Sequence, residues 1–505
     1  MKKLMKFGLV SLAALALVAC STKAKEDKTE QSTIAASKVS INVTGYEFGP
    51  SVNKIIVQLD KPIKTVDASK AKIETAKSDR TIEKAYVSDA DGNALSDGTE
   101  GQYVTLELAV TFDAQKVTAP GTPFTYSLET FQNTWSVDYP VKISGLTLTS
   151  GETDYTLETE ADAIANRVSA DLAAFTNRGS RTGTYTNDFT GQDEEVTLQY
   201  AAYEPDSLAG GSANPLVIWL HGQGEGGTDT DITLLGNEVV ALARPEIQGH
   251  FTSEDQTGAY VLAVQTKTYW MDEGDGTNGA GSGVSRYTQA LMDTIDEYVT
   301  NHPDVDTSRI YLTGGSNGGY MTLNMAVNYP DYFAALVPQA AAYSYYNYER
   351  DDNGAYTLVD SDKSLSGKAM VRTEDVYFTD EKLEALTNQP IWFLHAANDT
   401  VVDPTTYALP VYKALVDSGA SNKWFSYYES VEGSDLPGTS YMGHWSWTYF
   451  FNNKMSGVQD PAKIIEAEGI TGFEPSNASN GGTATAEVDG VTYTNVFDWL
   501  NAQTK

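Results

Sequence analysis

Cysteine is all but missing from this chain of 505 residues, with Cys20 the single one. A fold stapled by disulfides is excluded, so stability has to come from buried apolar surface. Histidine is scarce too: His221, His250, His302, His395 and His444 are the five. Histidine-dependent chemistry therefore has few places to reside. No His, Asp and Cys residues share the spacing of a zinc site, so no metal is implied. Basic residues are outnumbered, with 34 Lys and Arg against 68 Asp and Glu and a net charge of −34. Such a chain repels phosphate backbones, which excludes a nucleic-acid partner. What remains is 41% hydrophobic and 11% aromatic, enough for packed cores, and the length calls for two or more domains.

The chain opens with Lys2, Lys3 and Lys6, then an apolar run from Phe7 to Val18 that is short for a membrane span. Leu17-Val18-Ala19-Cys20 follows. This resembles a bacterial lipoprotein signal, over residues 1–20. The resemblance implies cleavage before Cys20, lipid on its thiol, and a mature protein tethered by acyl chains at the extracellular face of the membrane. Residues 21–37, rich in Lys, Glu, Thr and Ser, read as a flexible tether.

Residues 38–150 read as all-β. Ser40–Gly45, Lys54–Leu59 and Gln102–Leu108 alternate apolar and polar residues, and turn clusters such as Asp89-Ala90-Asp91-Gly92-Asn93 separate them. Short strands with regular turns indicate a β-sandwich. Residues 151–195 read as a connector, with a short helix expected across Thr159–Phe175 and a Gly/Thr-rich link across Asn177–Asn187. From 196 to 505 strands and helices alternate. Pro215–His221, Tyr260–Val264, Arg309–Thr313, Ala335–Pro338, Pro390–His395 and Trp424–Tyr428 read as strands, the pattern of an α/β domain with a mostly parallel sheet.

Within that domain, Gly314-Gly315-Ser316-Asn317-Gly318 matches G-x-S-x-G between an apolar strand and a helix-like segment, the setting of a nucleophile elbow. A serine on so sharp a turn needs neighbours without Cβ atoms. An attacking serine needs a base, and only His395 and His444 follow Ser316. His395 ends an apolar strand, as a packed residue does. His444 lies in Gly443-His444-Trp445-Ser446-Trp447, a loop, and is assigned as the general base. The acid belongs on a loop after a strand: Asp399 is the choice and Asp403, before Pro404, the alternative. Backbone N–H groups of Gln223, in His221-Gly222-Gln223-Gly224-Glu225-Gly226-Gly227, and of Asn317 are assigned to the oxyanion. The glycines at 222, 224 and 227 also satisfy G-x-G-x-x-G, but a dinucleotide site leaves Ser316, Asp399 and His444 unexplained.

These motifs, with the His444-Trp445-Ser446-Trp447-Thr448 and Val496–Leu500 segments, resemble the α/β-hydrolase superfamily. The likeness is to esterases akin to polyhydroxybutyrate depolymerases and feruloyl esterases, and more distantly to prolyl oligopeptidases. Val43–Lys54 resembles the immunoglobulin-like domain fused to some bacterial esterases. The resemblance implies an α/β-hydrolase fold, a carboxylic ester substrate and a Ser316–His444–Asp399 relay that needs no cofactor. Trp270, Trp445 and Tyr345 are candidates for the substrate pocket, with core packing as the other reading. The insertion at Tyr343–Leu386 reads as a lid or wall, or else as surface elaboration, and 454–494 as surface loops with a hairpin. Two rival functions share much of this evidence: a serine peptidase, and a surface adhesion protein whose hydrolase domain is silent.

Overall fold

The computed structural model describes residues 34–206, 213–274, 284–361, 367–466, 473–477 and 479–505. Cys20 and most of the 21–37 segment lie outside the described residues. Ile34 is already buried and the first strand begins at Ala36, so the end of the expected tether is part of the first domain.

The N-terminal domain is a two-sheet sandwich. One sheet orders the strands 166–168, 36–46, 49–63, 101–108 and 82–88; the other is built on 153–161, 141–150, 72–75 and 78–80. Ile41, Val43, Ile55, Val57, Val104 and Leu106 from the first sheet meet Val141, Ile143, Leu146 and Leu148 from the second in one core. A separate hairpin, Phe124–Ser127 paired with Gln132–Trp135, projects from this sandwich.

The expected helix across Thr159–Phe175 is not formed. Thr153–Ala161 pairs with Val141–Ser150, and Asn166–Val168 pairs parallel to Ser40–Asn42. Only Asp171–Ala174 coils, as a 3-10 turn. The sandwich offers this segment two open sheet edges, and ladder hydrogen bonds replace the helical ones its apolar spacing had pointed to. The sandwich thus runs to 168 rather than 150.

The expected Gly/Thr-rich connector is likewise a strand. Asn177–Thr186 is β1 of the second domain, paired antiparallel with β2 (Asp193–Tyr203). Its glycines are required by packing: Cβ atoms at Gly179 and Gly183 would collide with the rings of Tyr200 and Tyr185. The sheet begins at 177, ahead of the expected 196.

The remaining strands are β3 (Asn214–Leu220), β4 (Tyr260–Gln265), β5 (Val305–Gly315), β6 (Ala335–Gln339), β7 (Ile391–Ala396) and β8 (Lys423–Tyr428). Among the described residues the sheet order is β1-β2-β4-β3-β5-β6-β7-β8, parallel from β4 to β8. This is the α/β-hydrolase fold. The central strands are buried on both faces, which is why they read as unbroken apolar runs. Helices Thr288–Asn301, Asn317–Asn328 and Ala408–Asp417 cover the sheet with apolar side chains.

The 454–494 segment contains the expected hairpin, Ala486–Val488 with Val491–Tyr493. It also shields the edge strand β8: Tyr427 N–H donates to Gly481 O at 2.7 Å, and Ser476 N–H to Tyr427 O at 2.8 Å. In the 343–386 insertion, two short ladders join Tyr346–Tyr348 to Arg372–Val376 and Leu358–Asp360 to Lys368–Met370. Tyr343 is buried in an aromatic cluster with Tyr320, Tyr377 and Phe378.

Candidate active site

Ser316, Asp399 and the turn after His221 all follow the carboxyl ends of parallel strands, so they meet at one rim of the sheet. Ser316 separates β5 from helix Asn317–Asn328 and is held at φ 57° and ψ −113°. That left-handed backbone is strained for a serine. Three hydrogen bonds impose it. Ser316 N–H donates to Gln339 O at 2.8 Å, and its carbonyl accepts from Tyr320 and Ala342 N–H at 3.0 and 3.1 Å. The glycines serve backbone contact: a Cβ at Gly314 would sit 2.5 Å from the carbonyl of Gly318, and one at Gly318 would strike the carbonyl of Leu220.

Asp399 is buried on the loop after β7. Its Oδ1 accepts from the N–H groups of Val401 and Val402 at 2.8 and 2.9 Å. Its Oδ2 accepts from His444 Nδ1 at 2.8 Å and from His395 Nε2 at 3.0 Å. Burial alone would raise this carboxyl, but the charge of His444 and the hydrogen bonds from His395 and His444 override it and hold it well below the usual carboxylate range. Asp403 is engaged elsewhere, accepting from Thr405 N–H and Oγ1 at 2.9 and 2.7 Å. His395 Nε2 also meets Val402 O at 2.9 Å, and a carbonyl can only accept, so Nε2 carries the hydrogen. With His444 Nδ1–H turned to Asp399, its Nε2 is left as the basic nitrogen.

His444 sits in the turn Gly443–Trp445. Gly443 is pressed against the Asn398 carbonyl, 2.5 Å from where a Cβ would stand, and this seats the imidazole beside Asp399. Trp447 links histidine and elbow. Its ring meets His444 edge-on at 5.2 Å between centroids, and its Cε3 lies 2.9 Å from the place a Cβ on Gly315 would occupy. Among the described residues, Ser316 Oγ makes no hydrogen bond to His444.

The 3-10 turn Gln223–Glu225 follows β3. Among the described residues the backbone N–H groups of Gln223 and Asn317 have no backbone acceptor, so both remain available as donors. His221 braces the turn: Nε2 accepts from Thr266 N–H at 3.1 Å, which makes Nδ1 the donor to Gly222 O. Complete burial pushes His221 down to about 4, keeping the ring neutral. Glu225 is 7% exposed. Burial pushes its carboxyl up to about 7 against a hydrogen bond from Asn133 and the charge of His444.

The three pocket candidates are placed differently. Trp270 is fully buried and frames the turn, its Nε1–H donating to His221 O at 3.1 Å and its N–H to Asn317 Oδ1. Trp445 packs against Phe112 of the sandwich, at 5.9 Å, in an aromatic cluster between the domains with Phe48 and Tyr441. Tyr345 belongs to the insertion, against Tyr346 and Phe378 at 5.0 and 6.0 Å. The sequence reading missed Glu225 as a side chain, together with Gln132 and Asn133, which reach this rim from the sandwich. Along the chain Glu225 is only one residue of a glycine-rich turn. No local signal links it to a residue 92 positions earlier.

Comparison with known proteins agrees with this architecture. Residues 38–156 match the esterase Ig-like N-terminal domain, and residues 282–453 match the prolyl oligopeptidase family. A solved structure titled as a thermostable esterase aligns over 83% of this chain and 97% of its own, at 21% identity and a TM-score of 0.55. A poly(3-hydroxyalkanoate) depolymerase C from Paucimonas lemoignei is 41% identical over 71 residues, 14% of this chain. The chain spans only 16% of the length of that curated relative. The chain thus joins an esterase-type immunoglobulin-like domain to an α/β-hydrolase domain.

Proposed function

We propose that this α/β-hydrolase, with its immunoglobulin-like N-terminal domain, is a serine hydrolase cleaving carboxylic esters through an acyl-enzyme. The observation that carries the reading is the Asp399 carboxylate bonded to His444 Nδ1 at 2.8 Å, beside a serine on a strained elbow. Ser316 Oγ attacks the ester carbonyl as His444 Nε2 takes its proton. Asp399 fixes the tautomer and stabilises the imidazolium. The N–H groups of Gln223 and Asn317 receive the charge that develops on the carbonyl oxygen. His444 then returns the proton to the leaving alcohol, and water, activated by the same histidine, releases the acid. The relay uses no metal or organic cofactor.

The test is labelling by a fluorophosphonate. Wild type is labelled, and Ser316→Ala is not. Persistent labelling of that variant overturns the reading, as does an unlabelled wild type, which would point to a silent adhesion protein. A second reading, a serine peptidase, has support from the prolyl oligopeptidase match at 282–453. Nitrophenyl acyl esters assayed beside peptide anilides separate the two, and ester turnover is expected to dominate.

The proposal extends to location. Processing before Cys20, with lipid on its thiol, tethers the enzyme to the outer face of a bacterial membrane. Incorporation of radiolabelled palmitate, abolished in Cys20→Ser, is the expected result.

A further inference from the structure

The hairpin that projects from the sandwich reaches the turn carrying one of the two oxyanion donors. Asn133 Nδ2 donates to Glu225 Oε1 at 3.4 Å. Gln132 Nε2 donates to Lys267 O and Thr268 O at 2.8 and 3.2 Å, on the loop that flanks the same turn. Trp135 Nε1–H donates to Asp229 Oδ2 at 2.9 Å at the start of the following helix. The glycines of the turn record how tight this fit is. A Cβ on Gly224 would stand 3.0 Å from Asn133 Nδ2, and one on Gly226 would stand 2.7 Å from Gln132 Nε2.

Glu225 connects this clamp to the reacting serine. The point that a Cβ on Gly222 would occupy lies 2.9 Å from Glu225 Oε2 and 3.9 Å from Ser316 Cβ. On its other side the Glu225 side chain fills the space over Gly236, where a Cβ would meet Cγ at 2.5 Å. Its own carbonyl is held by Gln265 Nε2 and Thr233 Oγ1 at 2.9 and 3.0 Å. The carboxyl therefore occupies the space between Gly222, Gly236 and Asn133, within the turn that carries Gln223.

We infer that the N-terminal domain completes the catalytic site, with Asn133 and Glu225 acting as positioning residues that hold the Gln223 N–H in place for the oxyanion. This rests on the serine-hydrolase reading above. The physical reason is that a short glycine-rich turn has little stiffness of its own, and an oxyanion donor is effective only when preorganised. The charged and titratable groups facing Glu225 are His444 from the turn after β8 and Tyr126 from the hairpin. Burial raises the carboxyl to about 7, which lessens the negative charge held beside a site where negative charge develops.

The test uses the full chain and steady-state kinetics on a nitrophenyl ester. Asn133→Ala is expected to lower kcat about tenfold with little change in KM, because a misplaced donor is felt in the transition state. Glu225→Ala, which empties the space behind the turn, is expected to lower kcat about a hundredfold. Glu225→Gln keeps the shape and an acceptor for Asn133, and is expected to restore kcat to within about threefold of wild type. Glu47→Gln is the control: Glu47 also bridges the domains, accepting from Ser434 N–H at 2.6 Å and Asn452 Nδ2 at 2.8 Å, but away from the turn. It is expected to leave kcat unchanged. The inference is overturned if Asn133→Ala matches wild type, if its loss lies wholly in KM, or if Glu47→Gln loses as much kcat. Failure of the underlying reading looks different, since Ser316→Ala would then retain activity.

Discussion

Asp399 Oδ2 accepts from His444 Nδ1 at 2.8 Å across 45 residues of sequence, and from His395 Nε2 at 3.0 Å across four. One carboxylate oxygen thus takes two histidine donors, while the other is satisfied by backbone. The acid is oriented from three sides before any substrate arrives.

Asp399→Asn should leave the fold intact and lower kcat by about 10³- to 10⁴-fold, because the amide no longer enforces the Nδ1–H tautomer of His444. Asp403→Asn, which disturbs only a loop turn with Thr405, should stay within about threefold of wild type. Steady-state kinetics of the pair decides which acid works. Equal losses would show that the loop as a whole, rather than Asp399, matters.

His395→Leu should destabilise the protein by about 1–3 kcal/mol, since it strips a buried donor from Asp399 and from the Val402 carbonyl. Urea denaturation measures this. An unchanged midpoint would mean that neither hydrogen bond contributes.

Ser316→Gly should abolish turnover yet stabilise the fold by about 1 kcal/mol, because glycine adopts φ 57° without the serine's strain. Gly318→Ala should do the opposite and yield little folded protein, its methyl striking the Leu220 carbonyl. Thermal melts of both variants test the pair. A lower melting temperature for Ser316→Gly would contradict strain at the elbow.

Stability should fall between about pH 5 and pH 8. Burial raises Glu225 to about 7, and raises Glu238 to about 8 in spite of Arg244. Between the unfolded carboxylate value and these folded values the native state binds more protons, so stability drops as pH rises through that window. Asp399 has the reverse sign: its depressed carboxyl contributes stability above the unfolded value, lost as pH falls through the folded one. Glu238→Gln should flatten the neutral slope in pH-dependent melts. A melting temperature rising steadily from pH 5 to pH 8 in wild type would contradict this assignment.

What could be read along the chain was whatever depends on neighbours in sequence. The elbow shows itself because sterics at Ser316 demand glycines two positions to either side, and β3, β7 and the Ile310–Leu312 part of β5 because strand residues buried on both faces are mostly apolar. Chain order pointed to His444, and order with loop position to Asp399, and the two side chains do meet at 2.8 Å. The segment 153–186 resisted the same reading. Its Ala, Ile and Val spacing and its Gly/Thr content fit a helix and a linker in isolation, and only the free edges of three sheets turned it into strands. Trp270 and Trp445 show the same limit, since one large ring can line a pocket or brace a frame, and only its neighbours in space distinguish the two. The amino-acid order alone determined that a serine stands on a strained turn before a late histidine. The tertiary structure decided which carboxylate that histidine meets, and that a residue of the first domain touches the turn that carries Gln223. Both are contacts between distant parts of the chain, made by packing and the exclusion of water rather than by local backbone preference.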